Sequence, residues 1–96
     1  MPTVTARALA VHVTDVTLSV DLSDGRSIAV PLAWYPRPAN ADSAERSNWR
    51  LIAEGDGIHW PDLDEDVSVS SLLAGKPSAE SRPSLQRWLA SRRSRR

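Results

Sequence analysis

The chain has no cysteine and no phenylalanine, and only one lysine and one methionine among its 96 residues. Without cysteine there is no disulfide framework, no thiol chemistry and no cysteine-ligated zinc. The absence also fits a reducing, cytoplasmic setting. No apolar run approaches the roughly 20 residues that span a bilayer, and the N-terminus carries no signal-peptide hydrophobic region, so no membrane partner is expected. Positive and negative side chains number twelve each, so no net field marks the chain for nucleic acid or membrane surfaces. Gly-x-Ser-x-Gly, a glycine-rich phosphate loop and His-Glu-x-x-His are all missing. Glu54 and Glu65 are available for acid–base work, but nothing in their spacing brings them together. No enzyme activity and no cofactor are expected.

What is present describes one small domain. Hydrophobic residues make up 41%, too many for a disordered chain. A chain this short buries only about 60–65% of its unfolded surface, which argues against a deep cleft. The charge is unevenly placed. Residues 1–75 hold five arginines against eleven acids, and residues 76–96 hold seven basic groups against Glu80 alone. An acidic body of net −6 therefore carries a tail of net +6. Glu54 to Asp66 contains six carboxylates and no cation. The tail reads as ordinary solvated surface, as a contact for an acidic partner or a nucleic-acid backbone, or as a segment folding back on the acidic body.

Three period-2 segments open the chain. Leu9, Val11 and Val13 alternate with small or polar residues, as do Val16, Leu18, Val20 and Leu22, and then Ile28, Val30 and Leu32. This predicts a three-stranded antiparallel meander with one buried face. Parity sets the turns, because a one-residue slip sends every aliphatic to the wrong side. A two-residue loop at Thr14-Asp15 pairs Val13 with Val16. A three-residue loop at Ser23-Asp24-Gly25 pairs Leu22 with Arg26 and Val20 with Ile28, placing Gly25 where a left-handed residue is required. Pro31 must then lie at a strand end or an edge.

Asp42-Ser43-Ala44-Glu45 predicts a capping box and a helix from about Ser43 to Asn48. Trp49 to Ala53 reads as a strand, Glu54-Gly55-Asp56-Gly57 as a turn, and Ile58-His59-Trp60 as a returning strand closed by Pro61. Ser68 is a predicted N-cap for a short helix through Leu72-Leu73, with Gly75 just past its end. Lys76 to Pro83 reads as a linker. Ser84 to Arg93 predicts an amphipathic helix with Leu85, Trp88 and Leu89 on one stripe, too short to persist without docking. The fold class is therefore α+β, in the order β-β-β-α-β-β-α, with residues 1–75 as the domain and 76–96 as linker and basic helical tail.

The motifs Asp24-Gly25-Arg26, Val30-Pro31-Leu32-Ala33-Trp34-Tyr35-Pro36-Arg37, Gly57-Ile58-His59-Trp60-Pro61 and Asp64-Glu65-Asp66-Val67-Ser68-Val69, followed by Leu72-Leu73-Ala74-Gly75, occur in this order. Over residues 8–75 the sequence resembles the bacterial domain-of-unknown-function 2442 family. The resemblance implies a small α+β fold first seen as the N-terminal half of a protein whose C-terminal half is a helix-turn-helix domain. It also implies genomic pairing with another small domain, the basis for toxin–antitoxin proposals. The family has no assigned catalytic residues. The tail after Gly75 is too short for a helix-turn-helix, so autonomous DNA binding is not expected.

The candidate sites follow from residue chemistry. Trp34, Tyr35 and Arg37, stiffened by Pro36 and Pro38, have the composition of interface hot spots, or else plug the end of the sheet. Asp62, Asp64, Glu65 and Asp66 offer an acidic contact. Asp62, Asp64 and Asp66 alternate as in a calcium loop, but that motif needs glycine at Val67 and glutamate at Leu73, so no metal is expected. His12 and His59 read as surface or edge histidines. Trp49 and Trp60 read as core in a chain without phenylalanine. Trp88 on a basic helix needs a docking surface on the body, on another subunit or on a partner. Arg87, Arg92, Arg93, Arg95 and Arg96 are the nucleic-acid-binding candidates. The strand edge at Trp49 to Ala53 offers a route to a homodimer. The resulting expectation is a non-enzymatic protein-interaction module, the antitoxin-like or regulatory member of a two-gene pair with a small co-encoded protein partner. The alternative is an accessory nucleic-acid-binding protein using the arginine-rich tail.

Overall fold

The computed structural model describes the backbone of residues 6–94 and the side chains of residues 6–93. Strands β1 (Ala8–Val13), β2 (Thr17–Leu22) and β3 (Ser27–Pro31) form an antiparallel sheet in the order β1-β2-β3. The β2–β3 turn is the three-residue loop that parity requires. Leu22 N–H donates to Arg26 O at 2.8 Å and Gly25 N–H to Leu22 O at 3.1 Å. Val20 lies opposite Ile28 and Leu18 opposite Val30. Gly25 has φ of 93°, a conformation that costs a residue without a Cβ nothing. Pro31 ends β3, on the edge of the sheet, where its missing N–H breaks no ladder bond.

The β1–β2 turn differs from expectation. Val13 pairs with Leu18 and Val11 with Val20, so the loop spans Thr14 to Thr17. The Thr14 hydroxyl causes the change by accepting from Thr17 N–H at 3.0 Å and Val16 N–H at 3.3 Å, so it closes a wider turn. The shift is two residues, so parity survives, but Val16 is left in the loop, 73% exposed. Leu9 also departs from the predicted face. The ladder is irregular between Ala8 and Ala10, and this bulge turns Leu9 outward, 60% exposed, while Ala8 is buried.

Leu32–Trp34 forms a 3-10 turn and Pro36–Ala39 a single helical turn, α1. Helix α2 (Ser43–Ser47) has the predicted capping box. Glu45 N–H donates to Asp42 Oδ1 at 2.8 Å, and Asp42 N–H to Glu45 Oε1 at 3.1 Å. The second sheet, β4 (Arg50–Ile52), β5 (Gly57–Trp60) and β6 (Glu65–Ser68), is antiparallel in the order β4-β5-β6. The third strand, β6, was not expected, because its charged residues read as carboxylates ahead of a helix. Helix α3 (Val69–Leu73) follows directly. Ser68 Oγ accepts from Ser71 N–H at 3.1 Å, while Gly75 N–H donates to Leu72 O at 3.1 Å and Lys76 N–H to Ser71 O at 2.9 Å. The last two bonds are the paired closure of a Schellman cap, with Gly75 left-handed at φ of 69°.

Helix α4 (Arg82–Ser94) begins two residues earlier than predicted. Ser81 Oγ accepts from Ser84 N–H at 3.2 Å, and this cap draws Arg82 and Pro83 into the first turn, where a proline lacks nothing the helix needs.

Both sheets supply one buried cluster. Leu18, Val20 and Leu32 from the first half meet Ile58, Trp60, Leu63 and Val67 from the second. Trp60 is fully buried and its indole N–H donates to Arg46 O at 3.0 Å, so its polar atom is satisfied and its bulk fills the centre. Trp49 packs partly buried against the same cluster.

Two glycine substitutions should separate strain from clash. Gly25→Ala meets no neighbour, so its cost is the left-handed backbone alone, about 1 kcal/mol. At Gly55 (φ 92°) a Cβ would lie 3.0 Å from both Ala8 O and Arg7 Cβ, so Gly55→Ala should lower the urea midpoint clearly further. Equal midpoints would refute this account of the Gly55 contact.

Candidate functional site

Two ion pairs of opposite polarity join the body to residues 80–92. The Arg37 guanidinium is held in place by its neighbours: Tyr35 is buried, Pro38 is fully buried, and Pro36 starts the helical turn that carries it. Arg37 Nε and Nη2 donate to the two carboxylate oxygens of Glu80 at 2.8 and 2.9 Å, a forked pair. Its Nη1 donates to Leu63 O at 3.0 Å and Asp64 O at 3.3 Å, tying in the β5–β6 turn. The second fork lies about three helical turns further along the tail. Arg92 donates to Glu45 Oε1 and Oε2 at 2.7 and 2.9 Å. Between the forks the Trp88 ring is flanked by both cations, Arg92 at 4.6 Å and Arg37 at 5.2 Å from its centroid.

These pairs set the proton affinities. Hydrogen bonds from Arg37 hold the Glu80 carboxyl below its usual range, and those from Arg92 do the same for Glu45. Both arginines are in turn shifted up by their carboxylates. Glu65 behaves oppositely. Burial, then the charge of Glu80, raise it to about 7, an effect that Arg37 only partly offsets and that Asp66 and Asp64 reinforce. Tyr35 is also raised, by burial and by the charge of Glu65.

Two concavities adjoin this cluster. One, of about 400 Å³, runs between α4 and the β5–β6 turn, with Leu63 and Trp88 beside Asp62, Asp64 and Arg87. The other, also about 400 Å³, lies between β6 and residues 76–79, with Glu65, Tyr35 and Ser71 among its walls. Among the described residues no group of three histidine or acidic side chains is placed to hold a metal ion.

The predicted candidates fall into three groups. Tyr35 is 3% exposed and its hydroxyl donates to Lys76 O at 3.2 Å, while Trp34 is half-buried against the core and accepts Ser78 N–H on its carbonyl. These two, with Arg37, are occupied inside the fold. Asp62 and Asp64 are exposed on the β5–β6 turn, where Asp62 accepts from Asn48 Nδ2 at 2.9 Å. Asp66 pairs with the ring of His59 across β5 and β6. Of the tail arginines, Arg92 is paired, Arg87 and Arg93 are exposed, and Arg95 and Arg96 lie outside the described residues. Sequence reasoning missed Glu45, the body's acceptor for Arg92, and Glu80, the tail's acceptor for Arg37 of the body. Glu80 carried a signal, being the one acid among seven cations. Glu45 was masked by its role in the capping box, which it keeps while also binding Arg92.

Two three-stranded antiparallel sheets around one core, with short capped helices and a charge-clamped terminal helix, define a small α+β module. Residues 8–78 match the family described as "Protein of unknown function (DUF2442)", and the chain belongs to that family. It is similar to the crystal structure of a protein of unknown function from Rhodospirillum rubrum ATCC 11170, with 26% identity and a TM-score of 0.69 over 79% of this chain and 94% of that one. Comparison with curated proteins gave no match.

Glu65 should make stability fall as pH rises. Its folded pKa of about 7 lies above its ordinary 4.5, so the folded state keeps a proton that the unfolded chain releases. The resulting stabilisation is complete below pH 4.5 and is lost as pH climbs through 7. Glu45 and Glu80, with lowered values, act in the opposite sense and below that window. Glu65→Gln should therefore raise stability at pH 8 by about 1 kcal/mol, after discounting for solvent screening, and flatten the profile from pH 5 to 8. Chemical denaturation across that range checks it; a Glu65→Gln profile parallel to wild type would show that Glu65 titrates normally.

Proposed function

We propose that the chain is a non-enzymatic protein-interaction module, the antitoxin-like or regulatory member of a cytoplasmic two-gene pair. One observation carries this reading. The body holds a basic, tryptophan-bearing helix through paired carboxylates and a cation–aromatic sandwich, side chains that lie outside its own buried core. Aromatic and arginine anchors of this kind dominate protein interfaces. The exposed Asp62 and Asp64 add a negative rim beside the helix, which favours a basic partner surface and steers its approach.

A second reading rests on Arg82, Arg87 and Arg93, which are exposed and form no ion pair among the described residues. A phosphate backbone on that face of α4 would bind with a steep salt dependence. Arg92 adds nothing to it while held by Glu45.

Co-expression of the tagged full chain with the small protein encoded beside it should yield a complex that survives size exclusion. Asp62→Asn with Asp64→Asn, which keeps an acceptor for Asn48 and a residue type tolerant of the left-handed backbone at position 64, should weaken that complex severalfold with little change in the melting curve. Failure of the two proteins to associate, with RNA or DNA retained instead in a salt-sensitive manner, would transfer the function to the second reading.

A further inference from the structure

Every fully buried hydrophobic side chain among the described residues lies between Ala6 and Leu72. Helix α4 adds none. Its contribution is the partly buried Trp88, packed on the outside of the core cluster. The family match likewise ends at residue 78, before α4 begins. The last backbone tie of the domain is Ser78 N–H to Trp34 O at 3.0 Å, and Glu80 is anchored to Arg37. What holds α4 beyond that point is Arg92 on Glu45 and Trp88, which lies under the Arg37 guanidinium and against the edge of the core. An element attached through a few side-chain contacts outside the core opens at lower cost than one sharing the core.

The geometry points to α4 as an internal ligand. It occupies a recognition surface made by Glu45, Leu63 and Arg37, and a partner's amphipathic helix carrying an aromatic residue and an arginine one turn later displaces it. This deepens the interaction-module reading and rests on it. The occupant's chemistry is read from α4 itself: Trp88 and Arg92 are four residues apart, which puts both on one face. Glu45 supplies the complementary charge whichever chain brings the arginine. Because α4 is tethered, it competes at an effective concentration of order millimolar, so a partner must bind the open surface tightly to replace it. Its apparent affinity is reduced by the fraction of molecules that are open. Hinging falls at Ser81, since Glu80 stays on Arg37 when the helix leaves.

The test uses the full chain and a labelled synthetic peptide of residues 81–96. In a released variant, Trp88→Ala with Arg92→Ala, the body is unaltered and α4 has lost its anchors. This variant should bind the peptide at least tenfold more tightly than wild type does. Glu45→Arg in the released background should abolish binding, and a peptide bearing Arg92→Glu should recover part of it. A released variant that keeps its sheet circular dichroism yet binds no more tightly than wild type overturns the inference, as does binding indifferent to Glu45→Arg. Should the variant fail to fold, amide exchange on wild type decides. Amides of α4 should exchange at least 100-fold faster than those of β2 and β5, and equal protection overturns the proposal. Reciprocal exchange of α4 between two copies, seen as a dimer without peptide, would assign the surface to self-association and overturn it as well. None of these readouts needs the natural partner, so they fail or succeed independently of the co-expression experiment.

Discussion

The fork between Arg37 and Glu80 is the constraint on which the rest of the molecule's polar surface depends. A guanidinium offers five N–H donors in a fixed plane, and here they are divided between the Glu80 carboxylate and the consecutive backbone carbonyls of Leu63 and Asp64. The Arg37 side chain is 15% exposed and that of Glu80 is 9% exposed, so neither charge has free access to water. Such a pair is weak evidence for net stability, since desolvation offsets much of the attraction, but removing one member leaves the other charge unpaired where water reaches it poorly. Its value lies in geometry. It fixes where the β5–β6 turn, the segment after residue 78 and the start of α4 stand relative to one another.

Charge pairing across the boundary between acidic body and basic tail runs in both directions. The cancellation is local. Glu80 and Glu45 take Arg37 and Arg92, while Asp62, Asp64 and the outward arginines of α4 keep their charge at the surface. Glu65, a few residues from this lattice, is left without a cation of its own. Burial moves its proton affinity the other way, and its neighbours, acids or an arginine already claimed by Glu80, do not offset it.

Much of the fold could be read from residue order because local rules act within a few positions. The Ser23–Gly25 turn follows from parity and one glycine, and the Asp42 and Ser68 caps follow from side chains that reach three residues ahead. The errors have equally local causes. Thr14 widened a turn with its hydroxyl, and a bulge at Leu9 exchanged the faces of two residues. Strand β6 was hidden because Val67 alone of its four residues is buried. The candidate site was far less legible. Tyr35 and Arg37 have interface chemistry, yet their partners are 41 and 43 residues away in sequence, and no spacing rule reaches that far. The same composition that suits an exposed hot spot also suits an internal tie.

The tie between Ser78 and Trp34 has an architectural consequence. With the Arg37–Glu80 fork two residues later, it closes the part of the chain that holds every buried hydrophobic side chain among the described residues. Downstream, whatever is attached inherits a defined exit point and direction without disturbing anything inside. A scaffold so built behaves as a socket, its exit point set by the Ser78 and Glu80 contacts and not by the sequence that follows.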